Sequence, residues 1–151
     1  MGAKAGGVII MDIHSGEIFA LASSPDFNAN KERGELGKNK DSSIYFNRVV
    51  QGVYEMGSTF KIFSVAQGLE KDLFTLDSLI DTRAFRINSR KIEDKYKFNS
   101  ESSIYEIIVR SSNVGSARLA LMVGEKGLKE IFSKLGLLEP VRLELREANT
   151  T

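Results

Sequence analysis

The segment Tyr54-Glu55-Met56-Gly57-Ser58-Thr59-Phe60-Lys61 is the stretch on which our interpretation of this sequence depends. It opens a predicted helix whose apolar residues form a broad stripe with few gaps, so we expect a largely buried helix. The stripe consists of Phe60, Ile62, Phe63, Val65, Ala66 and Leu69. Because residues three apart share a helix face, the amine of Lys61 can reach the hydroxyl of Ser58. The positive end of the helix and burial would both favour a neutral lysine, so the segment indicates a serine nucleophile activated without histidine.

The Ser-x-x-Lys spacing is weak evidence when it stands alone. In a chain of this length and composition, chance produces about one such match. From these residues alone, a serine that caps the helix and a lysine on its solvated face remain the alternative. The interpretation therefore rests on the surrounding sequence.

Upstream of this segment, the sequence predicts a β-hairpin. Residues 8–13 and 17–22 have the composition of short strands, and His14-Ser15-Gly16 has that of the turn between them. A loop begins at Ser24. Residues 30–43 are polar and interrupted by glycine without periodicity, which predicts a surface connection.

Downstream, residues 73–99 are irregular, with short strands predicted at 84–87 and 90–93 and a solvated face over the charge-rich run 90–95. Ser103 and Glu106 have the spacing of a capping box, which predicts a short helix. Residues 111–113 interrupt that helix. Helical spacing resumes at 114–123 and again at 128–135. These two helices should end at Gly124 and Gly136, respectively.

The composition places limits on the class of protein. Lys and Arg number 21 against 20 Asp and Glu, a net charge of +1, so no nucleic-acid partner is expected. The absence of Cys excludes disulfides and thiolate chemistry. The apolar runs fall far short of the roughly 20 residues that a membrane span needs, and no targeting signal stands out. With 42% hydrophobic and 27% charged residues, we expect one soluble domain over residues 1–151.

Several segments together resemble the transpeptidase domain of class B penicillin-binding proteins. Asn47-Arg48-Val49-Val50 and residues 54–61 resemble the surroundings of the family's nucleophile. Residues 7–27 resemble its opening hairpin and the loop that follows. Ser111-Ser112-Asn113-Val114-Gly115 resembles its second motif, SxN. Order and separations also agree over about residues 6–145.

Within the family, Gly136-Leu137-Leu138 and Glu144-Leu145 resemble the division-site branch, penicillin-binding protein 3. The resemblance implies an α/β (α+β) fold of the penicillin-binding protein and serine β-lactamase type, with helices flanking an antiparallel sheet. Residues 1–151 would be part of a transpeptidase domain on the periplasmic face of the inner membrane. The implied partners are peptidoglycan stem peptides ending in D-Ala-D-Ala, β-lactam antibiotics and membrane proteins of the division complex. No cofactor or metal is implied.

The resemblance also assigns a role to each site residue. Ser58 would attack the carbonyl between the two D-alanines, and Lys61 would take its proton. Ser111 would relay a proton to the departing D-alanine, while Asn113 would hold the substrate backbone and orient Lys61. Taken alone, Ser111 and Asn113 also fit an ordinary break between two helices, where such residues cap backbone groups.

The family's third motif, a Lys-Thr-Gly strand after the SxN region, does not occur in these 151 residues. That strand provides an oxyanion donor, and losing one such donor can cost about 10²–10³ in rate. We therefore expect this chain alone to be nearly inactive, with marginal stability or self-association through uncovered strand edges and helix faces. His14-Ser15-Gly16 imitates the motif only superficially, because turn chemistry explains it, and we expect His14 to be exposed.

Two alternative functions remain open. A β-lactam hydrolase or D,D-carboxypeptidase of the same superfamily would release the acyl group to water. A non-catalytic binding or scaffold module would keep the shape without the reaction.

Overall fold

The computed structural model describes residues 2–28, 30, 44–141, 143–145 and 148. The chain divides into two compact units, one formed by residues 1–54 with 141–151 and the other by residues 55–140. Throughout the described parts of the chain, every helix is too short or too polar to cross a lipid bilayer.

The first unit contains the predicted hairpin. Strand β1 (Gly6–Met11) pairs antiparallel with β2 (Ile18–Ser24), and the register shifts between Ile10 and Met11. The carboxylate of Asp12 accepts hydrogen bonds from the backbone N–H groups of His14 and Ser15, at 2.8 and 2.7 Å, and so forms the turn. The hairpin is confirmed, although both strands are offset by one or two residues. His14 is exposed in the turn, as expected.

Residues 44–54 of the same unit pack beside the end of β2. The Ser23 hydroxyl donates to the Phe46 carbonyl at 3.3 Å and accepts from the Arg48 N–H at 3.0 Å. The Tyr54 hydroxyl donates to the Arg48 carbonyl at 2.9 Å. Arg48 is buried. The predicted surface connection at 30–43 lies outside the described residues except for Asn30.

The second unit begins its helical part with a 3-10 turn at Gly57–Phe60, which leads into α1 (Lys61–Glu70). The buried residues of α1 are Ser64, Val65, Gln67 and Gly68. The prediction of a largely buried helix is wrong for Phe60 and Ile62, which are 40% and 52% exposed. Among the described helices of this unit, α3 supplies most of the surface against α1, and the apolar stripe is wider than one such contact covers.

Four short strands follow in two antiparallel pairs. Strand β3 (Leu79–Asp81) pairs with β6 (Glu101–Ser103), and β4 (Phe85–Ile87) pairs with β5 (Arg90–Ile92). The predictions of β4 and β5 are confirmed. The sequence did not predict β3 and β6, because three residues are too few to show an alternating pattern.

Two helices complete the second unit. Helix α2 (Ile104–Val109) begins at Ser103, whose side chain accepts from the Glu106 N–H at 3.2 Å, as the capping box predicted. Helix α3 (Asn113–Lys134) is interrupted at Gly124, where φ is 71° and ψ is 169°. It ends where Gly136 has φ 69° and Leu137 N–H donates to the Phe132 carbonyl at 2.8 Å, a Schellman motif. Both glycine predictions are confirmed.

The core of this unit lies where α1, α2 and α3 meet. Its buried members are Val65, Phe74, Ile80, Ile104, Ile107, Leu119 and Val123. On the surface, Lys134 Nζ pairs with Glu70 at 2.7 Å and Lys71 Nζ pairs with Glu130 at 2.8 Å, so both ion pairs join the C-terminal end of α1, where Lys71 is the cap, to α3. This packing sets the beginning of α1 opposite the beginning of α3.

Candidate active site

All four residues predicted for the site lie in the second unit. Ser58 belongs to the 3-10 turn, and Lys61 is the first residue of α1. Ser111 lies between α2 and α3, and Asn113 is the first residue of α3. The beginnings of two helices and the bend between α2 and α3 therefore supply the candidate groups.

The turn that carries Ser58 lines up its side chain with that of Lys61. The Lys61 N–H donates to the Ser58 carbonyl, which is the i to i+3 bond of a 3-10 turn. In a 3-10 turn, side chains three residues apart eclipse one another. Ser58 is exposed, and its hydroxyl makes no hydrogen bond to another described residue. The expected contact between the Ser58 hydroxyl and the Lys61 amine is thus not formed in this state.

The Lys61 amine instead faces the bend at Ser111. Its Nζ donates to the Ser111 carbonyl at 2.7 Å, to the Ser111 Oγ at 3.0 Å and to the Asn113 Oδ1 at 2.7 Å. An ammonium group has three N–H donors, and these three acceptors use them all. The sequence separations are 50 and 52 residues, so only the tertiary fold brings these groups together.

The environment of Lys61 lowers the pKa of its amine below the ordinary lysine value of 10.5. Burial is the main cause, because a partly desolvated ammonium is less favourable than a neutral amine. The negative charge of Asp94 acts in the opposite direction and offsets part of that effect. The direction agrees with the sequence-based expectation of a more accessible neutral amine.

The bend itself is a Schellman motif at the end of α2. Ser111 N–H donates to the Ile108 carbonyl at 3.1 Å, and Ser112 N–H donates to the Ile107 carbonyl at 2.9 Å. Ser111 occupies the left-handed position of that motif with φ 57°, where glycine is usual. A side chain there costs about 1–2 kcal/mol. This conformation turns the Ser111 carbonyl, together with its hydroxyl, towards Lys61.

Asp94 is a residue of this site that the sequence interpretation missed. Its Oδ2 accepts from the Ser112 hydroxyl at 2.7 Å, and its Oδ1 accepts from the N–H groups of Asn113 and of Val114, the latter at 3.2 Å. The prediction of a solvated face over residues 90–95 is therefore wrong for Asp94, because a helix beginning needs acceptors for its free N–H groups. The available signal was the match of Ile92 and Asp94 to an Ile-x-Asp pattern of the family.

A largely apolar cleft of about 380 Å³ opens beside these groups. Lys61, Asn113 and Ser116 lie along it, and Phe60 and Phe132 supply part of its apolar wall. The centroids of these two rings are 5.8 Å apart. Within the described residues, no three His, Asp or Glu side chains are placed to hold a metal ion.

Comparison with protein families gives a match over nearly the whole chain. The family described as "Penicillin binding protein transpeptidase domain" matches residues 6–151. The chain belongs to this transpeptidase family. Among solved structures, the TP domain of Burkholderia pseudomallei penicillin-binding protein 3 is similar with a TM-score of 0.76 at 24% identity, covering 96% of this chain and 38% of that one. At that identity the likeness shows the fold alone, and it confirms the fold class expected from the sequence.

Several curated relatives carry the name FtsI. A protein of Caulobacter vibrioides named "Probable peptidoglycan D,D-transpeptidase FtsI" is 38% identical over 141 residues, which cover 93% of this chain and 23% of the relative. Escherichia coli FtsI, named a peptidoglycan D,D-transpeptidase, is 32% identical over 143 residues, which cover 95% of this chain and 23% of that protein. The chain thus spans about a quarter of the length of these relatives. The resemblance to a division-site transpeptidase domain is confirmed.

Proposed function

We propose that the natural protein containing this chain is a peptidoglycan D,D-transpeptidase, with Ser58 as nucleophile and Lys61 as its base. The proposal rests on the position of Lys61, which lies one helical turn after Ser58. Three acceptors from Ser111 and Asn113 hold its amine at 2.7–3.0 Å. Relatives from Caulobacter and Escherichia coli that bear this activity in their names support the substrate class.

The hydrogen bonds of Lys61 explain how the base becomes active. A protonated amine has three donors, whereas a neutral amine has two donors and one lone pair. Loss of the proton therefore forces Lys61 to release one of its three present acceptors. Because the 3-10 turn places Ser58 in line with Lys61, the new lone pair can accept the Ser58 proton.

The reaction then follows the expected course of acyl transfer. Ser58 Oγ bonds to the carbonyl carbon between the two D-alanines, while its proton passes to Lys61. The bond to the terminal D-alanine nitrogen breaks, and Ser111 relays a proton to that nitrogen. The amine of a second stem peptide attacks the resulting ester and releases Ser58, which forms the cross-link. The Ser58 N–H would provide one donor to the developing oxyanion.

The Asn113 side chain has two functions in this scheme, one for each of its polar atoms. Its Oδ1 holds the Lys61 amine, while its Nδ2 lies 3.4 Å from the Glu93 carbonyl, a long contact that a better acceptor can replace. We assign that acceptor to a backbone carbonyl of the stem peptide. Ser58 would also be the residue that β-lactams acylate.

The names of the relatives also support a proposal for the cellular setting. We infer that the protein acts on the periplasmic face of the inner membrane, on stem peptides ending in D-Ala-D-Ala, during septal wall synthesis. Its partners would be membrane proteins of the division complex. No cofactor enters the proposed reaction.

The decisive experiment is acylation of the full natural protein containing these residues by a fluorescent penicillin. We expect one covalent adduct, located on Ser58 by peptide mass spectrometry. Ser58→Ala should abolish labelling, and Lys61→Ala should slow it by about 10²–10⁴-fold because general-base catalysis is lost. Thr59→Ala is the matched control on the same turn and should label normally. Unchanged labelling of Ser58→Ala would contradict the proposal.

The fate of the adduct separates the alternatives. A stable adduct, together with transfer of a stem peptide to a second amine, supports a transpeptidase. Rapid release of hydrolysed penicillin would instead indicate a β-lactam hydrolase, and release of D-alanine without cross-linking would indicate a carboxypeptidase. A folded protein without any adduct would indicate a binding or scaffold module.

A further inference from the structure

The beginning of α3 is held by a carboxylate from outside the helix. The first N–H groups of any helix have no acceptor within it. Here Asp94 accepts from the N–H groups of Asn113 and Val114, and the Ser112 hydroxyl accepts from that of Gly115 at 2.9 Å. Asp94 Oδ2 also accepts a hydrogen bond from the Ser112 hydroxyl at 2.7 Å, so one carboxylate binds both the helix and its cap.

This arrangement connects a distant segment to the residues that hold Lys61. Asp94 follows β5 and lies 18 residues before Ser112 in the chain. The Lys61 amine depends on the Ser111 carbonyl and the Asn113 Oδ1, which lie on either side of Ser112. A displacement of the bend therefore moves both acceptors together. Errors of about 1 Å in such groups can cost about 10²-fold in rate.

Asp94 also acts on Lys61 through its charge. It favours the protonated amine and so raises the Lys61 pKa, against the larger effect of burial. The neighbouring carboxylate of Glu93 is exposed and pairs with Lys91 at 2.5 Å. Among the described residues on α1, on α3 and after β5, Asp94 is the charged group whose field reaches Lys61.

We propose that Asp94 is a positioning residue, which fixes the bend at 111–113 against Lys61 and moves the pH range in which the lysine acts to higher values. The proposal rests on the function of Lys61 as the base for Ser58. It makes Asp94 part of the machinery without contact to substrate or to the reacting atoms. The role differs from that of a simple helix cap, because a cap alone would not change the pH dependence of acylation.

Three variants of the full natural protein separate geometry from charge. Asp94→Asn keeps the shape but removes the charge and one acceptor function. Ser112→Ala removes the hydrogen bond to Asp94 and keeps the charge. Asp94→Glu keeps the charge on a longer side chain. The matched control is Glu93→Gln, which removes an exposed charge one residue away.

The readout is the rate of Ser58 acylation by penicillin as a function of pH. This rate should rise with pH as Lys61 loses its proton, so the midpoint of the acid limb reports the Lys61 pKa. We expect Asp94→Asn to lower the plateau rate by about 10- to 100-fold and to move the acid limb to lower pH. Ser112→Ala should lower the plateau and leave the acid limb in place. Asp94→Glu should keep the acid limb, and Glu93→Gln should match the parent protein in both.

Two results would overturn the proposal. One is an Asp94→Asn variant that acylates within about twofold of the parent rate and has an unchanged acid limb. The other is a Ser112→Ala variant whose acid limb moves as far as that of Asp94→Asn, which would assign the pH effect to the bend geometry alone. If Asp94→Asn does not fold, a Ser112→Ala variant with the parent plateau rate would overturn the positioning role, and an Asp94→Glu variant with a moved acid limb would overturn the role of the charge.

A second measurement keeps this test independent of the proposed function. The pH dependence of Lys61 acetylation by acetic anhydride, followed by mass spectrometry, reports the Lys61 pKa without any acylation at Ser58. A parent protein that penicillin does not label at Ser58 would contradict the proposed function. In that case a lower Lys61 pKa in Asp94→Asn would still support the action of the Asp94 charge on Lys61, and an unchanged pKa would refute that part of the proposal.

Discussion

The beginning of α1 and the beginning of α3 meet at Lys61 but are built in opposite ways. Helix α1 starts through an exposed 3-10 turn whose residue before the first helical position, Met56, offers no side-chain cap. Helix α3 is capped by Ser112, which precedes its first residue, is fully buried and is hydrogen-bonded to Asp94. The Lys61 amine is hydrogen-bonded to the residues at the beginning of α3. The Ser58 hydroxyl, at the beginning of α1, makes no hydrogen bond to another described residue.

This difference agrees with the chemistry that we propose. A nucleophile must be reached by a large substrate, so exposure of Ser58 is an advantage. A base must be held in one orientation, and its acceptors therefore need a rigid support. The left-handed Ser111 fits the second requirement, since strained backbone persists only where the surroundings determine it.

The largest effect that we expect tests the packing behind the rigid end. An alanine Cβ at Gly115 would lie 2.6–2.8 Å from three side-chain carbons of Ile107, which is fully buried. Overpacking of this kind costs about 1–3 kcal/mol, and we expect Gly115→Ala to lower the free energy of unfolding by about 2 kcal/mol. Urea unfolding measures this loss of stability. Gly6→Ala is the control because nothing lies within 4 Å of its Cβ. Equal stability of the two variants would show that Ile107 does not pack tightly against Gly115 behind the bend.

An intermediate effect compares the two helix beginnings directly. Ser112→Ala removes the cap to the Gly115 N–H and the hydrogen bond to Asp94, which should cost about 1–2 kcal/mol. Thr59→Ala removes only an exposed hydroxyl that donates to the Met56 carbonyl at 2.6 Å, and should stay within about 0.5 kcal/mol of the parent. Thermal unfolding of both variants checks the difference. If Thr59→Ala is the more damaging change, the contrast between the two ends is wrong.

The smallest effect concerns the strain at the bend. We expect Ser111→Gly to be more stable than Ser111→Ala by about 0.5–1 kcal/mol, because only glycine accepts φ 57° without cost. The difference is smaller than the full cost of the strain, because the unfolded glycine variant has greater backbone freedom. Both variants lack the hydroxyl, so both should lose the proton relay to the same extent. Chemical unfolding and penicillin acylation, measured side by side, test the two statements. An alanine variant as stable as the glycine variant would mean that the bend is not strained.

Local signals in the sequence account well for the elements that were predicted correctly. The capping box at Ser103, the break at Gly124 and the end at Gly136 all follow from the conformational preferences of single residues. The strands β4 and β5 and the hairpin in the first unit were predicted for the same kind of reason. The exposed Phe60 and Ile62 were not, because an apolar stripe shows what can be buried but not which neighbour covers it.

The sequence by itself determined the family, since the two motifs, Ser58 with Lys61 and Ser111 with Asn113, stand in the family's order within a surrounding sequence that also matches. Tertiary structure alone decided that the amine of Lys61 contacts the bend rather than the hydroxyl of Ser58. It also decided that Asp94 lies at the beginning of α3 rather than on a solvated face. The physical reason is that hydrogen bonds across 18 to 52 residues depend on how helices and strands pack, and no local preference records that distance.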